Sequence, residues 1–465
     1  MNRVGMKRYA YWLHSVVMVW SVTTSASSFG QVVTLEGQQA LAEHLTDACD
    51  ALSGRLSRYG QAAGCGMTTV SRQPLTADVA EYRYEFQVGP QAEDVIVLHR
   101  VVRERTAGVP ASTGKNVFAV HGDIFGFNPA FLGQNLSSNS VTNSFAVTAA
   151  LAGIDVWGID LRWVQVPAGT TDFSFMQNWN LQTYIQDVGV GLTVARVVRA
   201  LTGSGFGKMN LLGWSRGQAI GYAYLNYEAT IPTLLRNVKG FIPVEGFFKS
   251  DDANLRAGSC ARLTTYTALQ TTQPQTENGV LTATLAVLAQ TDPSGASPIL
   301  AGLTNEQAVL FFGTLTFNIF APDPAPTDLY HFNGGVFDPV TQLPVGLAYT
   351  QQSYYYDFLT LAAPYQSLGE VIDTETLVCD QVDLPYDDHL ADVTVPVLYV
   401  GAAGAFGNAG LYSTTLLGST DVSSHIVSLY PAAQKLLDYG HADVWTADDA
   451  DSLVWPAVIQ WVQAH

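Results

Sequence analysis

Short apolar runs alternate with longer amphipathic segments along most of the chain, a pattern typical of a sheet whose strands are connected by helices. Residues 81–88 alternate polar and apolar side chains and predict a half-exposed strand. Apolar runs predict seven more strands, at residues 94–102, 116–120, 154–160, 209–212, 238–245, 395–400 and 425–430. Helical periodicity predicts helices at residues 35–60, 144–152, 184–201 and 449–464, and a further helix that begins near residue 218.

Several of the predicted strands are apolar throughout, as strands buried on both faces of a parallel sheet are. The predicted fold class is therefore α/β, with a mostly parallel sheet covered by helices on both faces. The alternation stops near residue 247, and residues 247–391 are predicted to be a large insertion between two strands of the sheet. Residues 67–246 and 392–465 then form the core, and residues 31–66 form an N-terminal helical segment before it.

Composition and charge narrow the range of partners. The chain has 465 residues, of which 48% are hydrophobic, which is enough for a sizeable core. Its net charge is −18, and after the first ten residues the densest basic group is Arg100, Arg103 and Arg105, interrupted by Glu104. Nucleic acid and anionic membrane surfaces are therefore not expected as partners.

The first 30 residues predict a signal peptide. Arg3, Lys7 and Arg8 supply the positive start, residues 11–20 are mostly apolar, and small residues at 25–30 suit cleavage. The apolar part is shorter than the roughly 20 residues of a membrane span, so the alternative is an uncleaved N-terminal anchor. The mature protein is expected to be secreted or periplasmic, with no stable membrane span after removal of the signal.

An even number of cysteines in an exported chain suggests disulfide bonds. The four cysteines allow three pairings, and their segregation along the chain favours Cys49 with Cys65 and Cys260 with Cys379. Free buried thiols are the alternative. No two of them have C-x-x-C spacing, so a metal site built on cysteine is not expected.

Residues 213–217 read Gly-Trp-Ser-Arg-Gly, a G-x-S-x-G pattern between the predicted strand at 209–212 and a predicted helix. A strand, a sharp turn and a helix form the context in which this motif presents a serine nucleophile. The turn is strained and crowded, so residues without a Cβ are needed on both sides of the serine. Ser215 is the candidate attacking group.

Three further landmarks accompany this motif. His121-Gly122 follows one predicted strand, Gly-Ile-Asp-Leu-Arg at 158–162 ends the next, and Tyr-Gly-His-Ala-Asp at 439–443 lies near the C-terminus. Their order resembles the α/β-hydrolase superfamily, and in particular its serine esterases and lipases with an inserted cap. The resemblance covers residues 80–246 and 392–465, and it implies that the insertion is a cap or lid domain.

The resemblance also implies a histidine base that follows the acid in the sequence. A serine hydroxyl is a poor nucleophile until an adjacent base takes its proton, and the histidine pKa suits this task. Among the histidines after Ser215, His441 alone follows the last predicted strand in a glycine-containing loop before the final helix. His441 is the predicted base.

The acid departs from the commonest family pattern. That position follows the strand at 395–400, but residues 401–408 contain no carboxylate. Some family members carry the acid one strand earlier, where Glu245 stands at the end of an apolar strand. A carboxylate there is costly unless it has a partner, so Glu245 is the predicted acid, and Asp251 and Asp421 remain as alternatives.

Two backbone N–H groups are expected to form an oxyanion hole. By the resemblance, one belongs to Arg216, directly after the nucleophile, and the other belongs to the loop after His121-Gly122, most simply to Asp123. An acidic side chain is unusual beside a developing negative charge. We expect the carboxylate of Asp123 to point away or to pair with Arg216.

These expectations combine into one function. They describe an exported serine hydrolase that cleaves a carboxylic ester or lactone through an acyl-enzyme intermediate, with a small ester-like substrate and no metal or organic cofactor. One alternative is an amide or peptide hydrolase on the same triad. The other is a non-catalytic binding protein with the same fold, since fold alone does not fix function.

Overall fold

A computed structural model of the chain describes residues 66–465. The predicted signal peptide, the predicted helical segment as far as residue 65 and the predicted Cys49–Cys65 pair lie outside the described residues. The strands are β1 (Gly66–Pro74), β2 (Val79–Gln87), β3 (Val95–Thr106), β4 (Val109–Pro110), β5 (Asn116–Val120), β6 (Asp155–Asp160), β7 (Met209–Trp214), β8 (Val238–Val244), β9 (Gln275–Thr276), β10 (Gly335–Phe337), β11 (Pro344–Leu347), β12 (Gln366–Ser367), β13 (Val397–Ala402) and β14 (Val422–Val427).

Ten of these strands form one sheet in the order β1-β2-β3-β6-β5-β7-β8-β13-β14, with β4 paired to β3. Neighbouring strands from β6 to β14 are parallel. The strands β1, β2 and β3 pair antiparallel with one another, and β3 pairs antiparallel with β6. The sheet is therefore mostly parallel, as the apolar runs predicted, and every residue of β5, β6 and β7 is buried.

Twelve α-helices accompany the strands in the described part of the chain. They are α1 (Phe145–Leu151), α2 (Leu181–Leu201), α3 (Arg216–Ala229), α4 (Ala253–Gln270), α5 (Asn278–Thr291), α6 (Asn305–Thr314), α7 (Gln352–Thr360), α8 (Leu368–Cys379), α9 (Leu411–Thr415), α10 (Asp443–Thr446), α11 (Ala450–Leu453) and α12 (Trp455–Ala464). None of the helices within residues 66–465 is long and apolar enough to cross a membrane.

Helices cover both faces of the sheet. Side chains along a strand alternate between its faces, and along β5 Phe118 and Val120 belong to one hydrophobic core while Val117 and Ala119 belong to the other. The first core contains the apolar residues of α2 and α3, and the second contains those of α1 and α12. The α/β class with helices on both faces is thus confirmed.

The end of the chain differs from its prediction. A single helix at 449–464 was expected, but α11 and α12 are separated at Val454 (φ −117°, ψ −58°). Pro456 lies in the first turn of α12, where its missing N–H is tolerated. A proline inside a continuous helix would remove a hydrogen bond and clash with the preceding turn, so the helix restarts there.

The residues between β8 and β13 contain the helices α4 to α8 and two small sheets, β9 with β12 and β10 with β11. The first and last of these helices, α4 and α8, pack against each other. A disulfide bond between Cys260 of α4 and Cys379 of α8 joins them, and it is the second of the two predicted pairs.

Candidate active site

Ser215 occupies a strained turn between β7 and α3. Its backbone has φ 55° and ψ −126°, in the left-handed half of conformational space that residues with a Cβ rarely adopt. A Cβ at Gly213 would lie 2.4 Å from the carbonyl oxygen of Gly217, and one at Gly217 would lie 2.3 Å from that of Val120. Both glycines are therefore required by close backbone packing, as the motif predicted.

The loop after β5 packs directly on this turn. A Cβ at Gly122 would lie 2.7 Å from the Cβ of Ser215, so only glycine allows this approach. The imidazole of the adjacent His121 is buried, and its Nε2 accepts a hydrogen bond from the backbone N–H of Leu161 (3.1 Å). Burial lowers the pKa of His121, which favours the neutral ring that this bond needs. His121 thus ties the loop to the end of β6.

Glu245 follows β8 directly and is completely buried. Its backbone also has a positive φ, 50°. The carboxylate accepts hydrogen bonds from the backbone N–H groups of Ala402 (2.6 Å), Phe406 (3.3 Å) and Gly407 (3.3 Å). The last residue of β13 and the loop after it, which contain no carboxylate of their own, therefore hold the carboxylate at the end of β8.

His441 lies beside both the turn and this carboxylate. Its Nδ1 is 3.0 Å from Oε2 of Glu245, and the side chain is nearly buried. The imidazole stacks on the ring of Trp214, the residue before Ser215, with ring centroids 5.1 Å apart. The structure thus brings Ser215, His441 and Glu245 into one site.

The two alternative acids occupy other environments. Asp421 is exposed, and its carboxylate lies 3.3 Å from Nε2 of His465. Asp251 is exposed at the start of the segment between β8 and β13. Within the described residues, the carboxylate that contacts His441 is that of Glu245.

Asp123 pairs with Arg216, which is one of the two outcomes expected from the sequence. Nε of Arg216 donates to Oδ1 of Asp123 at 2.6 Å, and Nε2 of Gln366 donates to the same oxygen at 2.6 Å. Burial acts to raise the pKa of Asp123, but the charge and hydrogen bond of Arg216 outweigh it and hold the pKa below its ordinary value. Arg216 also donates to the hydroxyl of Thr374 on α8.

Residues that the sequence did not reveal hold the loop of His441 in place. The backbone N–H of His441 donates to the carbonyl of His331 (3.1 Å), and that of Ala442 donates to Phe332 (2.7 Å). Asp443 is completely buried and accepts from the side chain of Asn333 (2.7 Å) and from the backbone of Gly334 (2.8 Å). The segment 331–334 is far away in sequence, so no local pattern indicated its role.

Aromatic rings surround the imidazole. The ring centroids of Phe406, Tyr330 and Phe332 lie 5.4, 5.5 and 5.8 Å from that of His441. Phe332 also stacks on Phe125, which follows the loop after β5. The site is therefore largely apolar around its few polar groups.

One group of carboxylates within the described residues is compact enough to share a metal ion. It consists of Asp383, Asp387 and Asp388, in the exposed chain after α8. Nζ of Lys249 lies 2.7 Å from Oδ2 of Asp387, so the lysine already balances part of the negative charge of these carboxylates. Such groups are common on protein surfaces, and we assign no cofactor to it.

Comparison with known proteins identifies the fold. No protein-family model and no curated protein sequence matches the chain. A solved structure from Sulfolobus solfataricus, provisionally described as a lipase, has a TM-score of 0.57 and 16% sequence identity, and the match covers 86% of this chain and 98% of that one. A soluble variant of monoglyceride lipase from Saccharomyces cerevisiae also matches, with a TM-score of 0.40, 13% identity and coverage of 86% and 96%. The first match and the sheet order agree with the predicted class, and the chain has the α/β-hydrolase fold.

Proposed function

We propose that this protein is a serine hydrolase that cleaves a carboxylic ester. In this proposal Ser215 is the nucleophile, His441 is the general base and Glu245 orients the imidazole. The observation that supports it most directly is the contact of 3.0 Å between Nδ1 of His441 and the buried carboxylate of Glu245, beside a strained serine turn. A histidine held in this way presents its second nitrogen, Nε2, to a nucleophile.

The reaction proceeds in two halves. Oγ of Ser215 attacks the carbonyl carbon, and its proton moves to Nε2 of His441. The tetrahedral intermediate collapses, the alcohol leaves with the proton from His441, and an acyl group stays on Ser215. Water then attacks this acyl-enzyme with His441 again as the base, and the acid is released. Glu245 stabilises the imidazolium in both halves without taking the proton.

The oxyanion forms beside two backbone N–H groups. We assign these donors to Arg216, at the first position of α3, and to Asp123, in the loop that packs on Ser215. The N-terminal end of α3 adds its partial positive charge. The ion pair between the two side chains offsets the negative charge of Asp123 next to the oxyanion.

We also propose that the protein is exported. The first 30 residues resemble a signal peptide. The Cys260–Cys379 disulfide supports the proposal, because disulfides persist in oxidising compartments and are rare in the cytosol. Expression with a cleavage assay at the N-terminus tests it, and a mature protein that still begins at Met1 would contradict cleavage.

A fluorophosphonate probe and a panel of short para-nitrophenyl esters test the catalytic proposal. We expect the probe to label Ser215 and we expect Ser215→Ala to lose about 10⁶-fold in kcat. Ser428→Ala, at an exposed serine, is the matched control and keeps the wild-type rate. Full esterase activity in Ser215→Ala would exclude this serine as the nucleophile.

The same experiment separates the two alternatives. Cleavage of para-nitroanilides with a kcat/KM comparable to that of the matched esters would identify an amide hydrolase on the same residues, because anilides are intrinsically much less reactive than these esters. A folded protein whose Ser215 is not labelled and which cleaves neither panel would instead indicate a binding protein with this fold.

A further inference from the structure

The side chain of Asp123 is partly accessible in the loop that packs on Ser215. It is 37% exposed, whereas Gly122 before it is buried and Ile124 after it is half-buried. The loop packs on Ser215 through Gly122, so the carboxylate lies one residue from the contact with the nucleophile. This position makes the carboxylate a candidate contact for substrate.

Among the described residues, hydrogen bonds reach only one of the two carboxylate oxygens of Asp123. Nε of Arg216 and Nε2 of Gln366 both donate to Oδ1, each at 2.6 Å. Within residues 66–465 no group donates a hydrogen bond to Oδ2. A carboxylate oxygen accepts two hydrogen bonds, so Oδ2 is an acceptor with free capacity.

Electrostatic coupling links this carboxylate to the residues of the site. Arg216 is the strongest of the groups that lower the pKa of Asp123 against the effect of burial, and the charge of His441 contributes in the same direction. Burial is the main cause that raises the pKa of Tyr330, and the negative charges of Glu245 and Asp123 raise this pKa further. The charge of this carboxylate therefore contributes to the electrostatics of the site around His441 and Tyr330.

The site around the imidazole of His441 is mostly aromatic. The rings of Phe406, Tyr330 and Phe332 lie within 5.8 Å of the imidazole ring, measured between centroids. When a substrate displaces water from such a site, an acceptor left without a donor costs free energy. The substrate that fits the site best brings its own donor to Oδ2.

The charge balance indicates which donor this is. Glu375 also lies near Arg216, at 3.9 Å, but it pairs more closely with Arg262, at 3.1 Å, so Arg216 is left to compensate the charge of Asp123. An ammonium group at Oδ2 would lie close to this guanidinium and be repelled by it. A neutral hydroxyl group gains the charge-assisted hydrogen bond without that repulsion.

We propose that the site takes esters with a hydroxyl group close to the scissile carbonyl, and that Oδ2 of Asp123 accepts the hydrogen bond of this hydroxyl. Asp123 is then a specificity-determining residue, in addition to its backbone N–H in the oxyanion hole. This inference rests on the proposed ester hydrolysis and adds the substrate class to it.

The test compares para-nitrophenyl esters of butyrate, of its α- and β-hydroxy derivatives, of the corresponding methoxy derivatives and of its α-amino derivative. The methoxy group keeps the oxygen but has no donor. In the wild type we expect kcat/KM for one of the hydroxy esters to exceed that of its methoxy partner about tenfold or more. In Asp123→Asn the amide nitrogen replaces Oδ2 and turns the acceptor into a donor, so this ratio falls to about one or inverts.

Glu375→Gln is the matched control, because Glu375 flanks the same guanidinium, with Oε1 3.9 Å from Nη2 of Arg216. This substitution also removes one negative charge beside Arg216, but it leaves Oδ2 of Asp123 unchanged. The preference for the hydroxy ester should therefore persist. Circular dichroism and thermal melting verify that both variants are folded. Ratios between esters are compared across variants, so the intrinsic reactivity of each ester cancels.

Three results would overturn the inference. Equal rates on hydroxy and methoxy esters in the wild type would do so, as would a hydroxy preference that Asp123→Asn leaves unchanged. The third result is a preference for the α-amino ester that exceeds the preference for the hydroxy esters and is lost in Asp123→Asn. It would show that the site recognises an ammonium group and not a hydroxyl group. If no ester is cleaved and Ser215 is not labelled, the proposed function itself fails, and this inference fails with it.

Discussion

Glu245 and His441 are 196 positions apart in the sequence, yet Oε2 of the glutamate lies 3.0 Å from Nδ1 of the histidine. The contact is possible because the carboxylate stands at the end of β8 and is held by backbone N–H groups of the loop after β13. This arrangement makes a carboxylate after β13 unnecessary.

Replacement of Glu245 by Gln tests this relationship. The amide has a donor where the backbone N–H groups need an acceptor, and it no longer stabilises the imidazolium. We expect kcat on short esters to fall about 10³- to 10⁴-fold, with a much smaller change in KM. Asp421→Asn, which alters the exposed alternative acid, is the control and should keep the wild-type kcat. Equal losses in the two variants would contradict the assignment.

The ion pair between Asp123 and Arg216 predicts a compensating double substitution. Arg216→Met leaves the carboxylate uncompensated beside the oxyanion, and we expect kcat to fall about 10- to 100-fold, with the loss greater at higher pH as Asp123 ionises. Asp123→Asn combined with Arg216→Met removes both charges and should recover part of kcat on the butyrate ester. A double-mutant cycle gives the coupling. A double variant as slow as Arg216→Met would show that charge balance is not the cause.

His99 predicts a dependence of stability on pH. Its Nδ1 lies 2.7 Å from Oε1 of Glu81 and its Nε2 lies 3.1 Å from Oδ2 of Asp160. Burial acts to lower the pKa of His99, but the two carboxylates outweigh it and raise the pKa from 6.5 to about 9. Because the folded-state pKa is the higher one, the stabilisation is fully present below pH 6.5 and is lost as the pH rises through 9.

The size of this effect is roughly 3 kcal/mol, since each pKa unit corresponds to about 1.4 kcal/mol. Urea unfolding between pH 6 and pH 10 measures it. His99→Gln is expected to be less stable at neutral pH and to lose this part of the pH dependence. His389→Gln, at an exposed histidine, should follow the wild-type curve. A wild-type free energy of unfolding that rises across this range would contradict the prediction.

The disulfide predicts a stability difference that does not depend on the chemistry of the site. Cys260 and Cys379 close a loop with a sequence separation of 119. The double variant Cys260→Ser/Cys379→Ser is expected to lose about 2 to 4 kcal/mol, chiefly because its unfolded chain is less constrained. Thermal melting without reductant compares it with the wild type. An unchanged melting temperature would indicate that the packing of α4 on α8 suffices.

The sequence predicts the sheet well where strands are buried on both faces, because short apolar runs such as those of β5 to β8 are typical of strands in a parallel sheet. It does not predict β1, whose residues are mostly polar and pair only with β2. The split between α11 and α12 was readable in principle from Pro456, but the apolar periodicity on both sides of it favoured one long helix.

The residues of the candidate site also differ in how well the sequence predicts them. Ser215 and Glu245 stand at the ends of β7 and β8, where the local sequence indicates both the turn and the carboxylate that follows the strand. The side chain of Asn333 donates a hydrogen bond to Asp443 across 110 positions, and Asn333 belongs to no motif. Contacts of this kind follow from the path of the insertion, which no local pattern encodes.

The hydrogen bonds from residues 441 and 442 to segment 331–334 limit how the protein can be altered. Grafting an insertion from another member of the fold, or trimming this one, would remove these hydrogen bonds and release the loop of His441. A redesign of the residues between β8 and β13 should therefore keep segment 331–334. Under the proposed function, natural changes in this segment would alter the position of the base as well as the insertion itself.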